Sequence, residues 1–257
     1  MVVSFFGTKG GTGTTTLAVN AAADIRRLTA RSTVIVDLKT GLGDVALFLG
    51  LHPHHSVLTA IDRVSWREPG EVARLMTHHA CGLHVLASGS EFGRPGPRDD
   101  DGIEQTLRCL SDLYDHVVID VGSTLTAGTA TALRLSDVVI LVANPDVPCL
   151  RNLQRLIDAV RMTGVPAERL RIALNRATES GVLSTAHIER VLGLTIAYSV
   201  NSDYRTVASA LNAGLPVSSL RESPLQRQLA LIAHALAEHQ FKGGQVTVER
   251  TQPSLLS

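Results

Sequence analysis

Short runs that are apolar at nearly every position alternate along this chain with longer stretches whose apolar residues recur at helical spacing. Val2-Val3-Ser4-Phe5-Phe6 reads as a first buried strand, and residues 17–23 as the helix that follows it. Residues 33–36 predict a second strand closing at Asp37, and residues 83–86 a third. A Gly/Pro-rich loop at 93–97 leads to a helix over 103–113 and a strand over 116–120. Further strands are predicted at 138–142, 170–174 and 194–198. Helices are predicted from the turn at Asn144-Pro145 through Val160, and over 224–238. Continuous apolar strands alternating with helices imply an α/β fold: a doubly wound, mostly parallel sheet with helices on both faces. Residues 1–240 are expected to form the domain, with 241–257 a polar, disordered tail.

The most specific chemistry lies between the first strand and the first helix. Gly7-Thr8-Lys9-Gly10-Gly11-Thr12-Gly13-Thr14-Thr15-Thr16 opens that helix with glycines and hydroxyls, so backbone N–H groups and the positive helix end face a phosphate. The candidate nucleotide-binding residues here are Lys9, Gly10, Gly11, Thr12, Gly13, Thr14, Thr15 and Thr16. Thr15 stands where a P-loop places its Mg²⁺-binding hydroxyl, but Thr14 takes the place of the loop lysine. Asp120, closing an apolar run, is the natural carboxylate to share that Mg²⁺, and Asp37 ends a second strand nearby. Two other readings of the loop stay open. Gly11-Thr12-Gly13 with Asp37 begins a dinucleotide fingerprint, although Thr16 replaces its third glycine. The loop also reads as a ligand-free strand-to-helix turn. No residue stands out as a catalytic acid, base or nucleophile.

Composition narrows the classes. The chain has 257 residues, 44% of them hydrophobic, and a formal net charge of zero, so the whole-molecule field favours neither DNA nor an anionic membrane. Lysine occurs only at 9, 39 and 242, and two of these lie beside candidate loops. Cys81, Cys109 and Cys149 are odd in number and lack CxxC spacing, which argues against a disulfide framework or zinc ribbon. Cys109 and Cys149 read as small buried thiols in or beside helices. His52, His54, His55, His78, His79 and His84 show no zinc arrangement and read as surface histidines. Without a signal peptide or a membrane-length apolar run, a cytoplasmic protein is expected.

Lys9-Gly10-Gly11-x-Gly13-x-Thr15 resembles the deviant Walker A loop of the ParA/MinD family of P-loop ATPases. In that family a signature lysine, here Lys9, reaches the phosphates of ATP held by the partner subunit. The resemblance implies a P-loop NTPase fold, ATP and Mg²⁺ as cofactors, and a homodimer across the nucleotide. It implies Asp120 as the Walker B carboxylate, and Asn175 in Leu174-Asn175-Arg176 facing the adenine. The sequence departs from the pattern at three points. Thr14 replaces the intrasubunit lysine, and Val121-Gly122 follows Asp120 where x-Pro is usual. Asp37-Leu38-Lys39 replaces an Asp-x-Asp whose second carboxylate orients the attacking water. An ionised Lys39 counters phosphate charge but accepts no proton; the plainer reading is a solvated loop charge. Weak or absent hydrolysis is therefore expected.

Residues 41–50, 82–87, 144–153 and 201–216 resemble the CpaE/TadZ branch, the MinD-like members of Tad pilus assembly systems. That likeness implies a switch that positions or assembles a pilus or secretion machine, recruited to a pole or the inner-membrane face by its components. The alternative is an active ATPase for partitioning or septum placement. Arginines at 26, 27, 31, 151, 155, 161, 169 and 171 scatter as on solvated helix faces, so no DNA partner is expected. Residues 245–257 have neither the charge nor the period of a membrane helix. A scaffold that binds no nucleotide is the third possibility.

Overall fold

Strand β1 (Val2–Gly7) is buried at every position, as a strand covered on both faces must be. The computed structural model describes residues 1–39, 43–63, 69–89, 100–177 and 185–239. Within these, β2 (Thr33–Asp37), β3 (Thr77–His78), β4 (His84–Leu86), β5 (His116–Gly122), β6 (Val138–Ala143), β7 (Leu170–Ala177) and β8 (Ile196–Asn201) join β1 in one sheet. Its order is β3-β4-β2-β5-β1-β6-β7-β8, parallel throughout except for the β3–β4 pair.

The side-chain period of two divides each strand between two cores. Val3, Phe5, Ile35, Val118 and Ile140 pack under α1 (Thr14–Thr29) and α10 (Pro224–His239). Phe6, Val34, Val36, Ile119 and Leu141 face α5 (Asp100–Leu113), α6 (Ala127–Leu135) and α7 (Val147–Met162). The expected doubly wound, mostly parallel architecture is therefore present. Burying Leu17 and Ile25 of α1 contributes about 1.5–3 kcal/mol each, which fixes the helix whose first turn forms the phosphate loop. The same period carries function. Two residues beyond Ile35 and Val118, Asp37 and Asp120 lie on the α1 face as register partners.

Several elements escape the sequence pattern. β3 is too short to show a period, and α2 (Val45–Phe48), α3 (Val57–Arg63), α4 (Pro69–Leu75), α8 (Thr185–Leu192) and α9 (Tyr204–Ala213) are short or interrupted. Helix α6 is rich in alanine and threonine; a reciprocal Thr126–Thr129 capping box starts it. The last strand begins two residues later than expected and runs to Asn201. As an edge strand it is not fully buried, so Ser199 and Asn201 break its apolar run. The loop at 93–97, residues 41–42 and the tail at 241–257 lie outside the described residues.

Two histidines are not the surface groups expected. His79 is buried, and its Nε2 donates to the Gly214 carbonyl at 3.0 Å, leaving Nδ1 to accept the Cys81 N–H at 3.1 Å. His84 is half-buried, with Nδ1 2.7 Å from the Tyr114 hydroxyl. Each imidazole satisfies a polar group that burial would otherwise strand. No cluster of three metal-ligating side chains occurs among the described residues. Cys149 is buried in α7 and Cys109 half-buried in α5, both as free thiols. No described helix is long and apolar enough to cross a membrane.

Candidate nucleotide site

Gly11 and Gly13 hold φ values of +81° and +88°, a left-handed backbone that glycine adopts without steric cost. A Cβ on Gly10 or Gly11 would meet nothing within 4 Å, so the outer rim of the loop is open. Beneath it the loop is tightly braced. A Cβ on Gly13 would lie 2.2 Å from Asn175 Nδ2, which donates to the Thr12 carbonyl at 2.7 Å. Helix α1 starts with neither a side-chain cap nor an acidic residue in its first turn. Its first N–H groups are thus left for an anion.

The hydroxyls divide between bracing and binding. Thr14 is buried, with Oγ1 3.1 Å from Thr12 Oγ1, while Thr12 donates to the Lys9 carbonyl at 3.0 Å. Both hydroxyls crowd Gly7, where a Cβ would lie 2.3 Å from Thr14 Oγ1. Thr14 therefore shapes the loop from below. Thr15 faces the strand ends, donating to Asp120 Oδ2 at 2.5 Å. Thr16 lines the adjoining cleft.

Asp120 Oδ1 accepts the Gly122 N–H at 3.1 Å; Asp37 accepts the N–H groups of Lys39 and Val45 at 3.1 and 3.2 Å. Both carboxylates are almost fully buried. Burial and the facing Asp120 push Asp37 up to about 7, and burial raises Asp120 as well. Buried facing carboxylates of this kind suit a divalent cation. Gly122 explains the missing proline: its φ of +75° lies outside the range a pyrrolidine ring allows.

Lys39 is a half-exposed loop charge, but it is not free in solvent. Its stem lies on Gly122, whose built Cβ would be 3.1 Å from Lys39 Cγ, and its ammonium pairs with Asp44. Burial alone would lower its pKa; the Asp44 carboxylate reverses this and holds it raised. Lys9 pairs with Asp146 at 3.4 Å, and Asp146 caps α7 by accepting the Cys149 N–H at 2.8 Å. Beside them, Thr8 Oγ1 and Asn144 Oδ1 are buried without a hydrogen-bond partner.

A cleft of about 260 Å³ adjoins the loop. Leu17, Val200, Val207, Leu225 and Leu229 supply apolar lining, and Asn175, Arg176, Ser202 and Tyr204 supply polar groups. Arg176 adopts φ +56°, a strained conformation for a non-glycine residue at the mouth of a site. The structure thus brings Thr15, Asp37 and Asp120 together, and places Asn175 between loop and cleft. Asp44, Asp146, Arg176 and Tyr204 were not anticipated as site residues. Only Asp146 carries a local signal, an N-cap two residues before Pro148.

The donor set fits Mg-nucleotide: free N–H groups for phosphates, a hydroxyl and buried carboxylates for the ion, and an apolar cleft for a base. Residues 1–163 match the family model described as "Cellulose biosynthesis protein BcsQ". The chain belongs to this family. The match, together with relatives named MinD, makes it a ParA/MinD-like P-loop protein, as the loop suggested. The septum site-determining protein MinD of Thermotoga maritima is 24% identical over 233 residues, 89% of this chain and 84% of that one. A ParA family ATPase from Chlorobium tepidum TLS superposes with a TM-score of 0.82 at 21% identity, covering 91% and 98% of the two chains. MinD from Pyrococcus horikoshii OT3, solved with Mg-ADP, gives 0.77 at 18% identity, covering 91% and 95%. At these identities the two superpositions establish a shared fold.

One pH prediction follows from this electrostatics. Asp37 is raised to about 7 from 3.8, so the native state binds the extra proton between those values. Its stability contribution is complete below about pH 4 and is lost as pH rises through 7, with a limiting slope of about 1.4 kcal/mol per pH unit. His116, fully buried without a ring partner and pushed by burial down to about 4, has the opposite sign. Its contribution is complete above its ordinary 6.5 and is lost as pH falls through 4. The two slopes offset each other in the native chain. In His116→Phe, urea denaturation from pH 4.5 to 7.5 should show a clear fall in ligand-free stability; a flat profile would refute the burial of charge at Asp37.

Proposed function

We propose that this protein is an ATP-binding, dimerising switch that positions or assembles a Tad-type pilus or secretion machine, with slow or no hydrolysis. One observation carries the nucleotide part: an open glycine rim at an uncapped helix start, with Thr15 and Asp120 joined at 2.5 Å beside it. The loop N–H groups would hold the phosphates, Thr15 and Asp120 the Mg²⁺, and the Asn175 cleft the base. Bound there, Mg²⁺ would neutralise phosphate charge, and Thr15 and Asp120 would hold it in place. Thr12 and Thr14 keep the loop shaped, and Asn175 ties it to β7. The deviant Walker A reading of Lys9 and the CpaE/TadZ likeness of the post-strand loops support the switch and its pilus-class partners. Relatives named for septum-site determination support a second reading, a turning-over ATPase for partitioning or septum placement. Thr14 and Lys39 weigh against it, since neither the loop lysine nor the water-orienting carboxylate is present.

Mg-ATP titration by calorimetry, with molar mass read in parallel by light scattering, tests the proposal. Losing one charge-assisted hydrogen bond at position 14 costs about 1.5–3 kcal/mol, roughly 10- to 150-fold in affinity, so weakened binding and an ATP-dependent dimer are expected. No heat, with no displacement of a fluorescent ATP analogue at millimolar ATP, would dismiss the nucleotide reading. Steady-state hydrolysis should fall about 100–1000-fold for each missing transition-state group. Turnover at the rate of ordinary partition ATPases, lost in Thr15→Ala, would favour the second reading.

A further inference from the structure

We propose that Lys39 supplies, from the end of β2, the phosphate-facing cation that Thr14 no longer supplies from α1, and that Asp44 competes with the phosphates for it. The inference rests on the nucleotide reading above and adds to it a charge that has changed place. Lys39 follows Asp37 by two residues, and its backbone N–H is held by Asp37 Oδ1 at 3.1 Å, which fixes where the side chain starts. From there the stem crosses Gly122, whose N–H holds one oxygen of Asp120 while Thr15 holds the other. The ammonium therefore rises beside the metal-holding pair, and its positive field reaches both Asp37 and Asp120.

In this structure Asp44 takes up that ammonium. The pair is half open to solvent, with the two side chains 36% and 48% exposed, and at such exposure an ion pair is weak and exchanges readily. A triphosphate carries more negative charge than one carboxylate, and a four-carbon stem lets the ammonium turn toward it. The chain's cations elsewhere are almost all arginines; lysines are confined to positions 9, 39 and 242. A compact point charge suits phosphate oxygens approached from several directions, where a planar guanidinium demands one fixed geometry. Asp44 precedes α2 without making a side-chain cap bond, so its carboxylate is not held by the helix start.

Competition predicts opposite signs for the two partners, and a merely structural ion pair does not. Affinities of the full chain for fluorescent ATP, ADP and AMP analogues are measured at fixed Mg²⁺, with inorganic tripolyphosphate as competitor. Lys39→Met should weaken the triphosphate about 10-fold or more, with a smaller loss for each phosphate removed. Lys39→Arg should restore part of that loss, since it keeps the charge but not the compact geometry. Asp44→Asn should tighten triphosphate binding about 2- to 5-fold by releasing the ammonium. Melting temperatures of the ligand-free variants check folding, and if Lys39→Met does not fold, the sign at Asp44→Asn still decides. If the native chain binds ATP while both substitutions weaken it equally or leave it unchanged, the cation role of Lys39 is overturned and the nucleotide reading survives. If the native chain binds neither ATP nor tripolyphosphate, both fall together.

Discussion

Asp120→Asn should raise the melting temperature of the ligand-free protein by about 2–8 °C and abolish Mg²⁺-dependent nucleotide binding. Asp37 and Asp120 face each other across the β2–β5 register at the α1 side of the sheet, almost without solvent. Two carboxylates in that position resist ionising together, which is why burial and its neighbour lift Asp37 to about 7. Near neutral pH the ligand-free site therefore stores unfavourable charge that a bound cation would relieve. An asparagine at 120 removes one of the two charges and strands no partner. Its carbonyl oxygen still accepts the Gly122 N–H, and its amide can donate to Thr15 Oγ1, where the carboxylate now accepts. The gain is expected at about 1–2 kcal/mol, the usual size when a site strained for function is relaxed.

The same change at the facing residue should do less. Both oxygens of Asp37 accept backbone N–H groups, from Lys39 and Val45, so an amide there would turn a donor toward a donor. Asp37→Asn should melt below Asp120→Asn for that reason. Scanning fluorimetry of the three proteins, with a fluorescent ATP analogue titrated in excess Mg²⁺, checks both halves. A lower melting temperature for Asp120→Asn would mean that the pair is not strained. Undiminished Mg²⁺-dependent binding would mean that Asp120 does not hold the ion.

The sequence reveals the central strands because both their faces are covered, so β1, β5 and β6 read as nearly unbroken apolar runs. Asp37, Asp120 and the glycine loop are legible for the same reason: each interrupts such a run where a parallel sheet exposes its ligand edge. Edge elements hide. β3 has two residues, and β8 mixes polar and apolar positions along a partly open edge. Pairings made by tertiary approach hide as well. Lys9 and Asp146 are separated by 137 positions, and only the adjacency of β1 and β6 brings their loops together. The inward turn of Thr14 depends on how tightly Thr12 and Gly7 fold around it, and the left-handed backbone of Arg176 has no residue-level signature.

Lys9→Ala should leave the circular dichroism spectrum and ligand-free melting temperature nearly unchanged while eliminating any ATP-induced dimer. The side chain is 41% exposed, and its ion pair spans 3.4 Å to a half-exposed Asp146. A half-exposed ion pair of this kind contributes little to folding. Asp146 keeps its cap bond to Cys149 without Lys9, so α7 loses nothing at its start. Dimerisation is different. With Thr14 turned under the loop, a cation entering from a second subunit would bridge the two chains through the phosphates, and alanine removes that bridge outright. Light scattering at saturating Mg-ATP measures the outcome. The competing possibility is that Lys9 neutralises phosphate only within its own chain. In that case Lys9→Ala would weaken ATP binding equally in a monomer-locked variant. Full dimerisation of Lys9→Ala at saturating ATP would show that Lys9 does not act across the interface.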